Sequence, residues 1–390
     1  MVQVARNGFQ QAASGRQHHC ACQGNPQGRC SLLAVRLAPL QSRRKADHQH
    51  LQRVASSSVP VLSRQEVVEG MQRSTYGSIG QDIKSFYASE LGGIVTQPEL
   101  MVVPIDDHMV HRGHSVFDTA LLTQGYIYQL PQHLERLADS ASQAGLEVAL
   151  SHSELERVVL ETAAASKLLD GNIRFWATAG RGDFSLSSSS CKAAFYCVVF
   201  VDSHMSLTDD QREISGIRVR TSSVPCKPEY LAAFKSTNYL PNALSLMSAE
   251  AHGMDQAVFV TADGYVAEAT NANIGIVTRD DELIVPPFDH SLRGLTADTM
   301  LQMSRQRLGT EELASLAGVQ QRNFTVKEAQ SAKEVFMCSS FDPVVPIIMW
   351  DDQTISDGRP GPVTLSLRSM LLKNMDPKHG TSNHIQVPYA

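Results

Sequence analysis

The chain has 390 residues, 42% apolar and 19% charged, enough for one large core or two ordinary ones and too apolar for a disordered or fibrous protein. A net charge of −6, from 34 basic and 40 acidic residues, argues against a surface built to attract nucleic acid or membrane. No run of about eighteen apolar residues occurs, which excludes a membrane-spanning helix.

The charge is unevenly spread. Residues 1–64 hold nine Lys or Arg and one acid, Asp47, a balance of +8 that leaves −14 on the rest. This leader is rich in Arg, Gln, Ser and Ala and has no sustained apolar segment, which predicts a transit peptide for chloroplast or mitochondrion. A basic arm that binds nucleic acid is the rival reading. Cys20, Cys22 and Cys30 lie there beside His18 and His19, but a zinc site needs a second ligand pair at fixed spacing, so no metal is expected. Cys191, Cys197, Cys226 and Cys338 are scattered singly, as in a reduced compartment.

Mixed α and β patterning begins near Glu66. VFDTALL, the turn Thr123-Gln124-Gly125 and YIYQL predict a hairpin over 116–130. Leu134, Leu137, Ala141 and Ala144 form one apolar stripe, which predicts a helix over 132–146, and a second helix follows over 151–168. Strands are predicted at 173–179 and 194–201, separated by the Gly- and Ser-rich loop 180–190. A further strand at 217–224 runs into Pro225 and Pro228, which stop regular pairing and mark a linker. AVFVT with YVAEA, and NIGIV with ELIVPP, are joined by turns too short for a parallel crossover, so antiparallel hairpins are predicted. A helix from Thr296 to about Leu308 and strands at 334–339 and 344–350 complete the reading. This order of elements disfavours a Rossmann sheet, and no Gly-rich dinucleotide loop is present.

Four positions carry candidate chemistry. Lys235 follows Ala232, Ala233 and Phe234, and an amine in apolar surroundings loses proton affinity and becomes a nucleophile toward an aldehyde; an ordinary exposed lysine is the plain alternative. Glu268 sits in YVAEATNANIGIV, where a carboxylate among small and apolar residues calls for a positive partner such as a protonated pyridine nitrogen. A surface glutamate on the outer face of a hairpin fits the same alternation. Arg136, on the first predicted helix, can fork onto phosphate oxygens. Gly294-Leu295-Thr296 opens a helix and leaves backbone N–H groups for an anion.

Taken together, DDHMVHRGHSVFDTALLTQGYIYQLPQHLERLADSA, VPCKP, KSTNYLPN, DGYVAEATNANIGIV, RGLTADT and SSFDPVVPI resemble, in unbroken order over roughly residues 95–350, the class IV aminotransferases of pyridoxal-phosphate fold type IV. Within that family the blocks look most like the plant chloroplast D-amino-acid transaminases, which lie close to aminodeoxychorismate lyases and branched-chain aminotransferases. The resemblance implies an α+β fold with a small α/β N-terminal domain and a larger domain with a β-barrel-like core, rich in antiparallel hairpins. Mapped onto this chain, it gives a leader over 1–64, a small domain over 65–221, a linker over 222–233 and a large cofactor domain over 234–390. It further implies pyridoxal 5'-phosphate as cofactor, amino acids and 2-oxo acids as substrates, a homodimer whose partner completes the active site, a chloroplast location, and no nucleic-acid or membrane partner.

By the same resemblance, Lys235 binds the cofactor covalently and moves protons. Glu268 pairs with the ring nitrogen and Tyr239 lies near the ring's phenolic oxygen. Arg136, Thr296 and the Leu295 backbone hold the phosphate, with Asn273 shaping that side. Two departures stand out. Glu268 is followed by Ala269 rather than Gly, and Arg181-Gly182 lacks the Arg-x-His pair that traps substrate carboxylate in bacterial D-amino-acid transaminases. His111 and Arg112, with His114, are the candidates to replace that pair. The expected reaction is transamination of D-amino acids. An aminodeoxychorismate lyase, a branched-chain L-amino-acid aminotransferase and a non-catalytic cofactor-binding scaffold are the alternatives.

Overall fold

The computed structural model describes residues 59–73, 83–201, 215–380 and 382–389. The leader up to residue 58, with its Cys and His cluster and the expected transit peptide, lies outside the described residues. Helix α1 (Arg64–Arg73) precedes β1 (Ile83–Ala88), β2 (Gly93–Val95) and the short helix α2 (His108–Arg112). The hairpin β3 (Ser115–Thr123) and β4 (Tyr126–Tyr128) follows, then helices α3 (Leu130–Gln143) and α4 (His152–Ser166) and the strands β5 (Gly171–Arg181) and β6 (Lys192–Phe200). Helix α4 starts where it does because Ser151 and Glu154 form a reciprocal capping box, which satisfies N–H groups that have no partner within the helix. Its apolar face, with Leu155, Val158 and Val159, joins Leu130, Leu134 and Leu137 of α3 in covering Ile173, Phe175, Phe195 and Val199 of the sheet.

The second half contains β7 (Ile217–Thr221), α5 (Glu229–Ala232), α6 (Leu240–Glu250), β8 (Gln256–Val260), β9 (Val266–Ala269), β10 (Asn273–Val277) and β11 (Glu282–Val285). It continues with α7 (Leu295–Gln306), β12 (Gly318–Gln321), α8 (Val326–Ser331), β13 (Glu334–Cys338), β14 (Val345–Trp350), β15 (Gln353–Thr354), α9 (Pro362–Met375) and β16 (His384–Gln386).

Two sheets result. The first runs β16-β4-β3-β5-β6-β1-β2 with every pair antiparallel. In the second, the path β10-β13-β14-β7-β8-β9 returns to β10, so six strands close into a barrel, with β11 and β12 extending one side. Val219, Val258, Val266, Ile274, Val335 and Ile347, one from each of the six strands, pack in a single cluster, as inward-facing residues of a closed sheet must. Val277, Phe336 and Cys338 point the other way, against Met300 and Leu301 of α7 and Leu367 and Leu371 of α9.

The predicted hairpins form, but two features differ from the sequence reading. The barrel is mixed, because β7 is parallel to both β8 and β14. The connection from β7 to β8 passes through α5 and α6, the kind of long crossover a parallel pair requires. The domain edge at 221 also shifts: β7 belongs to the barrel sheet, whereas β16, near the C-terminus, returns to the first sheet. Within the expected linker, residues 229–232 are helical.

Candidate active site

Lys235 lies in the loop between α5 and α6, and this loop is pinned to the first sheet. Phe117 N donates to Lys235 O at 2.9 Å, Thr237 N to Ser115 O at 3.1 Å, and Lys235 N to Ser140 Oγ on α3 at 3.2 Å. With its backbone fixed from two sides, the side chain reaches Tyr239 Oη, to which Nζ donates at 3.3 Å. Nζ also lies 4.7 Å from the centroid of the Phe117 ring, which meets Tyr239 edge-on at 5.3 Å. Burial, reinforced by the nearby Arg136 charge, lowers the Lys235 pKa to about 8. A substantial share of the amine is therefore neutral near physiological pH.

Glu268 is on β9, where Asn273 of β10 is its register partner at the seam that closes the barrel. Seam closure thus sets two of the predicted residues side by side. Glu268 Oε2 accepts from Leu292 N at 3.2 Å. Burial pushes its carboxyl up to about 7, against the opposing pull of Lys227, the Leu292 N–H and Lys235. Lys235, Tyr239, Glu268, Asn273, Arg136, Leu295 and Thr296 all line one cavity. The seven residues predicted for cofactor binding are therefore brought together.

Arg136 is held in place from behind. Its Nε and Nη2 fork onto Asp118 of β3 at 2.8 and 2.7 Å, and Nη1 donates to Arg293 O at 3.2 Å. His133, one helical turn away on α3, has Nδ1 2.9 Å from the same carboxylate. Asp118 has no solvent exposure. Burial alone would raise its pKa, but the Arg136 charge and the hydrogen bonds from Arg136 and His133 outweigh that and hold it well below the carboxylate range. His133, itself buried, is pushed down from the ordinary histidine value. Nδ1 is then the donor of a neutral ring to Asp118.

Beside Arg136, whose Nη1 reaches Arg293 O, α7 begins just after its cap Gly294. Asn273 Nδ2 donates to Leu292 O at 2.9 Å, and a Cβ built on Gly294 would lie 2.0 Å from Asn273 Oδ1, so only glycine lets the chain turn into the helix this close to Asn273. The first N–H groups of α7 have no partner inside the helix and carry the positive end of its dipole. The Thr296 hydroxyl lies 3.5 Å from Ser340 Oγ. A guanidinium, a helix N-terminus and two hydroxyls around one end of a cavity suit a dianionic phosphate ester.

Arg112 and His111 lie elsewhere. Arg112 is exposed on α2, its Nη2 donating to Phe184 O at 2.6 Å and its Nη1 to His111 O at 2.8 Å, and it lines a separate cavity with His108 and His114. The His111 ring packs 4.9 Å from that of Phe184. Neither residue joins the Lys235 cavity within one chain.

Several neighbours of the site escaped the sequence reading. Asp118 and His133 fix Arg136, and the available signal was an acid in the otherwise apolar strand VFDTALL. Arg174 donates from Nε to Thr119 Oγ1 at 3.0 Å, and Thr119 lines the cavity. Arg174 also sits 5.5 Å from the Phe117 centroid and depresses the Lys235 pKa, so it is a second cation near the reactive amine.

The sequence pattern of the amino-transferase class IV family matches residues 115–350, the span that contributes every residue named above for the Lys235 cavity. The chain belongs to the class IV aminotransferases. It is 40% identical over 337 residues to the chloroplastic D-amino-acid transaminase of Arabidopsis thaliana, covering 86% of this chain and 87% of that one. It is 30% identical over 269 residues to a putative branched-chain-amino-acid aminotransferase of Methanocaldococcus jannaschii, covering 68% and 88%. Among solved structures, a T.th. branched-chain amino acid aminotransferase with pyridoxamine 5'-phosphate superposes with a TM-score of 0.70 at 25% identity, covering 78% of this chain and 99% of that one. Class IV aminotransferases use pyridoxal 5'-phosphate. The cavity fits that cofactor: an amine for its aldehyde, a carboxylate for its ring nitrogen and an anion cradle for its phosphate.

Proposed function

We propose that this aminotransferase prefers D-amino acids as donors and 2-oxo acids as acceptors, with Lys235 as the catalytic base. The reading rests chiefly on a partly neutral lysine and an under-compensated carboxylate converging on one cavity next to an anion cradle. The D-preference is supported by the 40% identity to the Arabidopsis D-amino-acid transaminase across nearly the whole of both chains.

Pyridoxal 5'-phosphate supplies an aldehyde that exchanges amines and a conjugated ring that accepts the electron pair left when a substrate loses its α-proton. The residues do the rest. Lys235 Nζ, neutral in part, would take the substrate's α-proton and pass it to the carbon of the former aldehyde, so that proton and amine would both move from substrate to cofactor. Tyr239 Oη, within hydrogen-bond reach of Nζ, keeps the amine aimed between these two positions. Glu268, as a carboxylate, holds a proton on the ring nitrogen. Arg136, Thr296, the Leu295 N–H and Asn273 hold the phosphate end still, so that proton transfer alternates over a fixed ring. Arg174, bound to Thr119 of the cavity wall, is a further cation able to read a substrate carboxylate, beside Arg112 and His111.

The stripe Leu240, Leu244 and Met247 on α6, at 69%, 42% and 42% exposure, is one helical face left open by the described residues, and it supports a homodimer. The basic leader, together with the chloroplastic relative, supports import into a plastid. A panel of D-amino acids, L-amino acids and aminodeoxychorismate, each with and without a 2-oxo acid, tests the reading. D-amino acids are consumed fastest, and only with an acceptor present. Exclusive use of L-substrates, or release of p-aminobenzoate without an acceptor, overturns it.

A further inference from the structure

The sequence block Val224-Pro225-Cys226-Lys227-Pro228 contributes a second lysine that the proposed mechanism leaves unused. We propose that Lys227 is a positioning residue, the counter-cation that keeps Glu268 ionised from behind Tyr239 and thereby sets the pH range over which the site accepts its cofactor.

The geometry carries this. Lys227 Nζ lies 4.6 Å from the centroid of the Tyr239 ring, closer than the 5.8 Å separating Lys235 Nζ from that ring. Tyr239 therefore serves two ammonium groups, one over its π-system and one at its hydroxyl. The segment bearing Lys227 is held in place: Pro225 and Pro228 fix φ on either side, and the Cys226 thiol lies 3.8 Å from His290 O, at the start of the loop whose Leu292 N–H binds Glu268. Two cations at one tyrosine repel unless an anion sits beside them. The titratable groups that act on Glu268 are Lys227, Lys235, Tyr239 and Cys226. Arg136 is paired with Asp118 in its fork. Of the two lysines, Lys227 exerts the stronger pull on Glu268. This division of labour frees Lys235, whose proton must come and go, from also having to stabilise the carboxylate.

The inference rests on the reading of Glu268 as partner of the ring nitrogen, and the test separates the two. Pyridoxamine 5'-phosphate, which has no aldehyde to engage Lys235, is bound to the cofactor-stripped full chain across a pH series, with affinity read from quenching of protein fluorescence. In the unaltered protein, affinity rises with pH through a limb near 7, where Glu268 ionises. In Lys227→Met and Lys227→Gln the limb moves up by about one pH unit, which lowers affinity about fivefold at pH 7 and about tenfold well below the limb, and Lys227→Arg restores it. Glu268→Gln removes the limb. A limb that stays in Glu268→Gln overturns the reading of Glu268 itself. A limb lost in Glu268→Gln but unmoved in either folded neutral variant at position 227, or moved equally in Lys227→Arg, overturns the role of Lys227 alone.

Discussion

The two ends of the cavity treat charge in opposite ways. Around Arg136 every charge is matched: the guanidinium forks onto Asp118, His133 donates to the same carboxylate, and the acid stays ionised far below its usual range. Around Lys235 and Glu268 compensation is incomplete, so burial drags the amine down to about 8 and the acid up to about 7. The first arrangement makes a rigid anchor, since nothing there can change protonation cheaply. The second makes groups that can gain or lose a proton near neutral pH, which proton transfer demands.

The largest effect expected from breaking this contrast comes at the reactive end. Lys235→Ala abolishes turnover and the absorbance band of the covalently held cofactor, and a variant that still transaminates at the normal rate refutes the assignment. At the anchored end, Asp118→Asn strips the fork and leaves Arg136 without its anion, a change that costs about 3–5 kcal/mol when a buried pair loses one partner. Urea unfolding reads that loss, and cofactor affinity falls with it. An unchanged unfolding midpoint would mean the fork is not what fixes Arg136.

The pH dependence of cofactor capture sharpens the other half. Only the neutral amine attacks an aldehyde, and burial lowers the Lys235 pKa to about 8. Stopped-flow capture of pyridoxal 5'-phosphate therefore speeds up about tenfold per pH unit below 8 and levels off above it. A rate still climbing at pH 10 would indicate an unperturbed lysine. The smallest effect is expected at Gly294→Ala, where the new Cβ must push Asn273 or the start of α7 aside. Such overpacking costs about 1–3 kcal/mol, seen as weaker cofactor binding with turnover at saturation largely kept.

What the sequence made legible follows from how local each feature is. The β3–β4 hairpin could be read because its turn and its alternation lie within a few residues of each other. Lys235 and Glu268 stood out because an ion among apolar neighbours needs an explanation that nearby positions alone can pose. The anchoring of Arg136 could not be read in the same way, since Asp118 meets it only after β3 and α3 have packed. The parallel course of β7 depends on its pairing with β14 and β8, strands far from it in the chain. Arg112 and His111, cationic or hydrogen-bonding groups just before a strand, suggested a substrate clamp, and within the single chain α2 places both against Phe184.

One feature of the first sheet bears on biogenesis. His384–Gln386 is the outer strand beside Tyr126–Tyr128, and Gln129 N donates to Asn383 O at 2.7 Å. A sheet whose other strands are complete by residue 200 thus keeps an unpaired edge until residue 384 has been synthesised. An open edge of this kind is a template for pairing with other chains. β4 is therefore open to such pairing throughout synthesis of the barrel, until β16 covers it and becomes the outer strand.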